Sequence, residues 1–407
     1  MTGRERFRAF LSGDKIDRIP NGLGGCETAG LHAAAYQKLK KTLGVDDQRN
    51  RFYTFMCNAV FEPPVLDAIH GDLIIANSGM CPSDMWGAES TDQWKAVDIW
   101  GFPTQVPVDW RFRRDADGTW WWGDRLKCPP GGYYFDVPPS TLEKEQSQRD
   151  PNPSPDQFDP PHGIDEARLR RAEKGAKWLY ENTDYSVVCG ETIHDLQRRP
   201  GGTENWWIRM ISEPDAVHQI LDKMVDAALA QLEQLEQAVG KYCETLLIAD
   251  DMGNARGVTI GPDLWRAIYK PHYMKLFQGW HNRTDMKVIM HNCGAIVEIL
   301  EDLIECGVDI INPVQISGDG MDPEDLKRRF GDRIVFYGGA YDAILLAGEK
   351  SQDRVYHAVK KNIEILSAGG GFLFAGVHNL PADMPESHLR AMLAAYEDSA
   401  ERPELLP

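Results

Sequence analysis

From about residue 185 onward, short β-branched apolar runs alternate with longer stretches of helical periodicity. This alternation predicts βα units and a parallel sheet, because a helix that follows each strand covers the sheet. The predicted strands are 185–189, 245–249, 287–291, 308–312, 333–337 and 371–375. The predicted helices are 213–239, 262–283, 296–305, 322–330, 351–367 and 386–400.

Six such units predict a (β/α)8 barrel if two further strands precede them. One of these strands is predicted at 73–76, and the sequence does not locate the other. Barrels with insertions exceed ~400 residues as one unit, so a chain of 407 residues can form a single domain. We therefore expect one barrel domain over residues 1–407, with an N-terminal extension.

The stretch 100–165 differs from the repeating pattern. Residues 112–127 place an Asp-Gly turn between polar and aromatic segments, which predicts a β-hairpin. The following stretch, 129–161, is rich in proline and suits an extended loop. We expect residues 100–165 to be an insertion that folds over one face of the barrel.

The charge balance restricts the kinds of partner. The chain has 44 Lys and Arg against 62 Asp and Glu, a net charge of −18, which disfavours nucleic acid and anionic membrane surfaces. Its apolar runs are far shorter than the ~20 residues that span a bilayer, and residues 1–15 contain no apolar signal segment. Its eight cysteines form no CxxC pair. We expect a cytoplasmic protein whose cysteines are thiols.

Functional groups of a parallel barrel lie on the loops that follow the C-terminal ends of the strands. His291 and Cys293 occupy such a position and are two residues apart, so in extended backbone they point to the same side. Imidazole and thiolate are ligands that zinc prefers, and His378 after the last strand is a candidate third ligand. Other candidates at strand ends are Glu191, Asp250, Asp251, Asn312, Gln315 and Asn379.

Each of these residues also has a structural interpretation. A His-x-Cys pair alone is compatible with a buried thiol and a hydrogen-bonded core imidazole. Asp250 and Asp251 are candidates for a general acid or base or for the metal shell, and they equally suit a capping pair in a turn. Glu191 suits either catalysis or a buried hydrogen bond.

Neutral and aromatic residues suggest how a substrate is held. Asn312, Gln315 and Asn379 suit the orientation of a ligand rather than proton transfer. Trp206, with Trp207 and the tryptophans at 120–122, either lines a pocket for a flat apolar or aromatic substrate or packs in a core or lid. The sequence contains no dinucleotide loop, P-loop, nucleophile elbow or kinase signature.

Five segments resemble recurring blocks of the uroporphyrinogen decarboxylase-like superfamily, and within it the corrinoid-linked methyltransferase branch. The most specific is HNCGAIVEILEDLIECGVDIINPVQ at 291–315. The others are RERFRAFLSGDKIDRIP at 4–20, DDMG at 250–253, YGGAYD at 337–342 and GVHNLPADMP at 376–385. The resemblance implies a single barrel with its pocket at the C-terminal ends of the strands.

Two differences between the branches bear on function. The decarboxylases carry an arginine-rich segment near the start for the carboxylates of their substrate, whereas residues 21–30 here read NGLGGCETAG. The methyltransferases bind zinc through His-x-Cys and a later Cys. His291 and Cys293 match the first two of those positions, and His378 stands where the later Cys would be.

The resemblance, with this ligand set, implies a zinc enzyme that removes a methyl group from a methoxylated compound, such as an aromatic methyl ether. The methyl group would pass to the Co(I) corrinoid of a partner protein, since the chain contains no Asp-x-His-x-x-Gly cobalamin-binding segment. Zinc with one thiolate and two imidazoles is a stronger Lewis acid than zinc with two thiolates, which suits a departing oxygen.

Other functions remain open on the same residues. The reverse transfer, from a methyl-corrinoid to a thiol or folate, uses the same geometry. A uroporphyrinogen decarboxylase-like lyase without a metal would use Asp250 or Asp251 and would not need Cys293. A protein that binds a ligand or the corrinoid partner without turnover is the third alternative.

Overall fold

The computed structural model describes residues 1–46, 49–77, 85–86, 93–147, 150, 152–190, 196, 199–402 and 405–406. The helices are α1 (Gly3–Ser12), α2 (Ala33–Leu43), α3 (Pro63–Ala68), α4 (Pro139–Ser147), α5 (Glu166–Asn182), α6 (Thr203–Ser212), α7 (Pro214–Val239), α8 (Pro262–Ile268), α9 (Lys270–His281), α10 (Leu300–Cys306), α11 (Pro323–Phe330), α12 (Gln352–Ser367) and α13 (Glu386–Ala400).

The strands of the described residues fall into one large sheet and three small ones. They are β1 (Leu73–Ile75), β2 (Trp94–Val97), β3 (Thr104–Pro107), β4 (Phe112–Arg114), β5 (Trp120–Trp122), β6 (Leu126–Cys128), β7 (Ser186–Cys189), β8 (Thr245–Ala249), β9 (Gly253–Asn254), β10 (Gly257–Val258), β11 (Lys287–His291), β12 (Ile310–Asn312), β13 (Val335–Tyr337) and β14 (Phe372–Leu373).

The large sheet is parallel and contains seven strands in the order β1-β7-β8-β11-β12-β13-β14. Residues 20–22 occupy the eighth position. Gly22 N donates to Phe374 O and Phe374 N donates to Pro20 O, each at 2.9 Å, and Asp72 N donates to Asn21 O at 2.9 Å. This segment joins β14 to β1, so the predicted (β/α)8 barrel is confirmed and its missing strand position is located.

Side chains of the barrel strands alternate between the interior and the surrounding helices. This is the period-two pattern expected of strands buried on both faces. The two aromatic rings Phe7 and Phe10 of α1 pack on the interior cluster and fill one end of the barrel. The interior side chains of the strands are Leu73, Val188, Leu247, Ile289, Ile310, Tyr337 and Leu373.

A buried ion network lies at the end of the barrel that α1 closes. The Asp72 carboxylate, which is fully buried, accepts hydrogen bonds from Arg6 at 2.6 Å and from Arg18 at 2.8 Å. It also accepts one from Asn21 N at 2.7 Å. One carboxylate therefore joins α1, the segment 20–22 and the start of β1.

The predicted helix 262–283 is wrong in one respect, because the structure divides it into α8 and α9. Pro271 lies in the first turn of α9. Proline has no N–H to donate within a helix and disfavours helical backbone at the preceding residue, so a new helix begins here. The other predicted helices and strands agree with the structure within a few residues at each end.

The predicted insertion contains the expected hairpin. β4 and β5 are antiparallel and joined by the Asp-Gly turn, where Gly118 has a φ of 92°, and β6 adds a third strand. The rings of Trp110 and Trp122 pack against each other within the apolar cluster of this region, with their centroids 3.8 Å apart and their planes at 33°. None of the helices in the described ranges is long and apolar enough to cross a membrane.

Candidate metal centre

Three side chains at the C-terminal end of the barrel could share one metal ion. His291, Cys293 and His378 each offer a ligand atom, and the three atoms lie within 4.8 Å of one another. His291 is the last residue of β11, Cys293 lies two residues later, and His378 follows β14. His291 Nε2 lies 3.3 Å from Cys293 Sγ. Nitrogen and sulfur donors at this spacing fit the donor preference of zinc.

Hydrogen bonds determine which nitrogen of His291 faces the cluster. Asn312 Oδ1 accepts from Thr28 Oγ1 at 2.6 Å and lies 3.0 Å from His291 Nδ1. Asn312 Nδ2 donates to Tyr337 O at 3.3 Å, which fixes the orientation of the amide. His291 therefore carries its proton on Nδ1, so the Nε2 lone pair faces Cys293 and is available to a metal.

His378 is held in a different tautomer. Asn379 N donates to His378 Nδ1 at 2.7 Å, so a neutral ring has its proton on Nε2. Its ring centroid lies 5.2 Å from that of His291, with the ring planes at 71°. His378 can join a metal shell only after this hydrogen bond is released or the ring turns. Two donors of the set are thus in place, and the third needs a local change.

Burial sets the protonation states of the three side chains. Burial lowers the pKa of His291, and it lowers the pKa of His378 to about 4, so both imidazoles are neutral at pH 7. Burial also raises the pKa of the Cys293 thiol to about 12, with a smaller contribution from the Asp251 carboxylate. Neutral imidazole is the form that binds metals, and thiolate is the form that a bound zinc ion stabilises.

Asp251 belongs to the cluster, and Asp250 is positioned behind it. Asp251 Oδ1 accepts from Cys293 N at 2.9 Å and lies 3.8 Å from His291 Nε2. The Asp250 carboxylate is 1% exposed and accepts from Tyr273 Oη at 2.5 Å. Asp251 can therefore reach a metal or a substrate, whereas Asp250 is committed to hydrogen bonds within the protein.

The backbone around Cys293 is fixed by neighbouring strand ends. Gln315 Oε1 accepts from Gly294 N at 2.7 Å. Gly294 has a φ of 98°, and a Cβ there would lie 2.5 Å from Gly253 C. Only glycine suits this turn, because a larger residue would be both strained and in collision. Asn292, which points away from the metal side, accepts from Met252 N at 2.5 Å.

The remaining predicted site residues lie in different surroundings. Trp206 is fully buried in the main core and donates from Nε1 to Tyr269 Oη at 2.9 Å, so it contributes to packing. Asn379 Oδ1 accepts from Gly30 N at 2.9 Å, which connects the last strand end to the loop after residue 22. Glu191 lies outside the described residues.

Two cavities meet at His378 and Asn379. The inner cavity, of about 150 Å³, is lined by Cys293, Gln315, Tyr341, Asp342, Ala343, Ile344, Val377, His378, Asn379 and Leu380. The outer cavity, of about 370 Å³, is lined by His32, Phe55, Met56, Tyr134, Phe135, Asp136, His378 and Asn379. The outer cavity lies in the size range of small-molecule sites.

Sequence reasoning missed Thr28 and most of the outer cavity. Thr28 lies in the segment 21–30, which was compared only for its lack of arginines. His32, Phe55 and Tyr134 are far apart in the sequence and carry no shared spacing, so no local pattern could have grouped them. The only feature of the sequence that pointed to these residues was their position in loops, where binding residues are often found.

The hydrogen bond from His291 to Asn312 provides a test of metal binding. We expect Asn312→Ala to lower zinc affinity by ~10–100-fold, because the proton of His291 is then free to occupy Nε2. Asn312→Asp keeps an acceptor for Nδ1–H and should retain most of the affinity. A competitive titration against a chelator measures both variants. Equal affinity of Asn312→Ala and the unmodified protein would contradict this role of Asn312.

A family model supports the earlier resemblance. Residues 199–399, which include all three candidate ligands, match the model described as uroporphyrinogen decarboxylase (URO-D). The resemblance to the uroporphyrinogen decarboxylase-like superfamily is therefore confirmed over residues 199–399. Four of the five segments on which the resemblance was based, 250–253, 291–315, 337–342 and 376–385, lie within the matched range, and the fifth, 4–20, precedes it.

Relatives in this superfamily differ in their chemistry. A uroporphyrinogen decarboxylase from Proteus mirabilis is 26% identical over 197 residues, which cover 46% of this chain and 49% of that protein. A methylcobamide:CoM methyltransferase from Methanosarcina barkeri is 24% identical over 191 residues, 46% of this chain and 50% of that protein. The chain spans about half the length of the curated relatives that it matches.

A solved structure extends the similarity in fold to nearly the whole chain. A methyltransferase from Methanosarcina mazei superposes with a TM-score of 0.53 at 14% identity. The match covers 98% of this chain and 99% of that one. This comparison supports the barrel fold but does not identify the reaction, which has to be inferred from the residues of the site.

Proposed function

We propose that the protein is a zinc-dependent methyltransferase that transfers a methyl group from a methoxylated small molecule to the corrinoid of a partner protein. The observation that carries this proposal is the donor set of His291, Cys293 and His378 at the mouth of the barrel. His291 and Cys293 present donor atoms 3.3 Å apart without rearrangement. His378 would complete the set once Asn379 N releases its Nδ1.

When bound here, zinc would supply a Lewis acid that polarises the oxygen carrying the methyl group. The chain's own residues would prepare that site. Asn312 keeps the proton of His291 on Nδ1, and Asp251 and Gln315 hold the backbone N–H groups of the Cys293 turn. The apolar walls of the two cavities would exclude water from the reacting methyl group.

The corrinoid would have to arrive on another protein chain. The Methanosarcina barkeri relative acts on methylcobamide according to its name, which supports corrinoid chemistry at this barrel. The inner cavity reaches the surface beside Ile344, which is 67% exposed. An exposed apolar side chain at the mouth suits a transient contact with a partner protein.

A second candidate function is the reverse transfer from a methyl-corrinoid to a thiol. The name of the Methanosarcina barkeri relative favours it, since that enzyme methylates CoM. Decarboxylation of a tetrapyrrole with many carboxylates fits less well, because the two cavities have no Lys or Arg among the described residues that line them.

A reconstituted transfer assay tests the proposal. The zinc-loaded protein is mixed with Co(I) cobalamin and a panel of methoxybenzenes, and formation of methylcobalamin is followed by its absorbance. We expect transfer from at least one donor, and we expect Cys293→Ala to abolish it, whereas the exposed histidine variant His357→Ala, on α12, should match the unmodified protein.

The reverse assay uses methylcobalamin and a thiol acceptor. Transfer only in this assay would replace the first proposal by the second. Absence of transfer in both directions, with zinc bound and a corrinoid protein supplied, would reject methyl transfer as the function.

A further inference from the structure

The outer cavity is built mainly by residues outside the matched family segment. His32, Phe55, Met56, Tyr134, Phe135 and Asp136 all precede residue 199, where the family match begins. Only His378 and Asn379 come from the matched part. The barrel half therefore supplies the candidate metal ligands, and the first part of the chain supplies the walls next to them.

The shape of the outer cavity suits a flat ring. Phe55, Tyr134 and Phe135 provide aromatic surfaces, and Met56 adds a flexible apolar one. Phe55 and Tyr134 are each 40% exposed, so their rings have surface left for a ligand to cover. Aromatic rings of this kind contact a bound aromatic ligand by stacking or by edge-to-face packing.

The loop that carries Tyr134 is anchored to the barrel. His32 donates from Nε2 to Tyr133 O at 2.8 Å and accepts at Nδ1 from Ala34 N at 3.0 Å. Burial lowers the pKa of His32 to about 4, so the ring is neutral and can do both at pH 7. Tyr134 Oη accepts from Ala382 N at 3.4 Å. The aromatic wall is thus held in place over the candidate metal centre.

The charges at the two cavities are negative. Asp136 is exposed, and its carboxylate has no hydrogen bond or ion pair with the described residues. Asp342 is 2% exposed, and its Oδ1 accepts from Ile344 N at 2.7 Å while its Oδ2 has no hydrogen-bond partner in the described part of the chain. Since no Lys or Arg is found among the described lining residues, a carboxylate ligand would meet like charge without compensation.

We propose that the outer cavity binds the aromatic ring of the methyl donor and that Asp136 selects a ring bearing a hydrogen-bond donor, either a hydroxyl or a protonated amine. The methoxy group would then point past Asn379 toward His378 and Cys293. A ring that bears a carboxylate would bind less tightly, because the carboxylate would be repelled by Asp136. The role of the bound ligand as methyl donor rests on the proposed function. The binding site and its selectivity can be tested without methyl transfer.

Three matched compounds test the selectivity: 4-methoxybenzylamine, 4-methoxybenzyl alcohol and 4-methoxybenzoate. Their binding to the full-length, zinc-loaded protein is measured by titration calorimetry at pH 7. We expect the amine and the alcohol to bind at least about tenfold more tightly than the benzoate, a difference of ~1.4 kcal/mol.

Asp136→Lys should reverse this order, because the ammonium would attract the carboxylate and repel the amine. Asp124→Lys makes the same change in net charge on the exposed β5–β6 turn, away from both cavities, and should leave the order unchanged. Thermal unfolding midpoints confirm that each variant is folded.

Equal binding of the benzoate and the amine by the unmodified protein would overturn the proposal, as would identical effects of Asp136→Lys and Asp124→Lys. The expected order of binding without any methyl transfer would retain this ligand site and reject the proposed function. If methyl transfer from the benzoate is as efficient as transfer from the amine and the alcohol, the proposed function is retained and this selectivity is rejected.

Discussion

His291→Ala and Cys293→Ala are each expected to reduce bound zinc from about one ion per chain to nearly none. Both residues present donor atoms to the cluster without rearrangement, so the loss of either one leaves a single donor already in place. His378→Ala is expected to retain part of the zinc, because its Nδ1 is occupied by Asn379 N. Elemental analysis of proteins purified without chelator measures all three variants.

His357→Ala is the matched control, since this histidine is exposed on α12 and should bind no zinc at the site. If the unmodified protein binds no zinc even after reconstitution, the metal site is rejected. If His378→Ala loses as much zinc as Cys293→Ala, the ring of His378 must turn or release Asn379 when the metal binds. Retention of a full zinc complement by Cys293→Ala would assign the metal to other ligands.

Asp72→Asn is expected to lower the free energy of unfolding by ~3–5 kcal/mol, because removing one partner of a buried ion pair leaves the other charge unpaired. Both arginine partners are largely buried, with side chains 6% exposed for Arg6 and 14% for Arg18. The same carboxylate receives Asn21 N, so the change also weakens the closure of the barrel. Denaturant unfolding followed by far-UV circular dichroism measures the loss.

Asp226→Asn is the comparison variant for this experiment. Asp226 pairs with Lys275 at 3.1 Å on the surface, where the two side chains are 61% and 45% exposed. Exposed pairs contribute ~0–1 kcal/mol, so this variant should unfold nearly as the unmodified protein does. Losses of similar size in the two variants would show that the Asp72 network has no special part in stability.

Local patterns in the sequence were sufficient to predict most of the barrel and to identify the first two candidate ligands. Strands buried on both faces leave continuous apolar runs, as in 245–249 and 287–291, and these predict strands directly. His291 and Cys293 were identified from their spacing of two after such a run, since alternation in extended backbone is a local property.

Features that leave no local pattern in the sequence were not predicted from it. The segment 20–22 takes the eighth strand position through a few backbone hydrogen bonds and contains Pro20 and Gly22, so it carries no run of strand-forming residues. The division between α8 and α9 was missed because the apolar spacing continues across Pro271. The tautomers of His291 and His378 depend on Asn312 and Asn379, and hydrogen bonds of this kind cannot be read from spacing.

Sequence patterns alone predicted the parallel barrel, the insertion near 100–165 and the position of His291 and Cys293 at a strand end. Each of these follows from the periodicity or spacing of neighbouring residues, which acts over a few residues of chain. The folded chain was needed to show that Trp206 packs in the core and that Asp251 rather than Asp250 faces the cluster. It was also needed to show that Phe55, Tyr134 and Asp136 line the same cavity as His378. These outcomes depend on closure of the barrel and on docking of the insertion, which bring together residues that lie far apart along the chain.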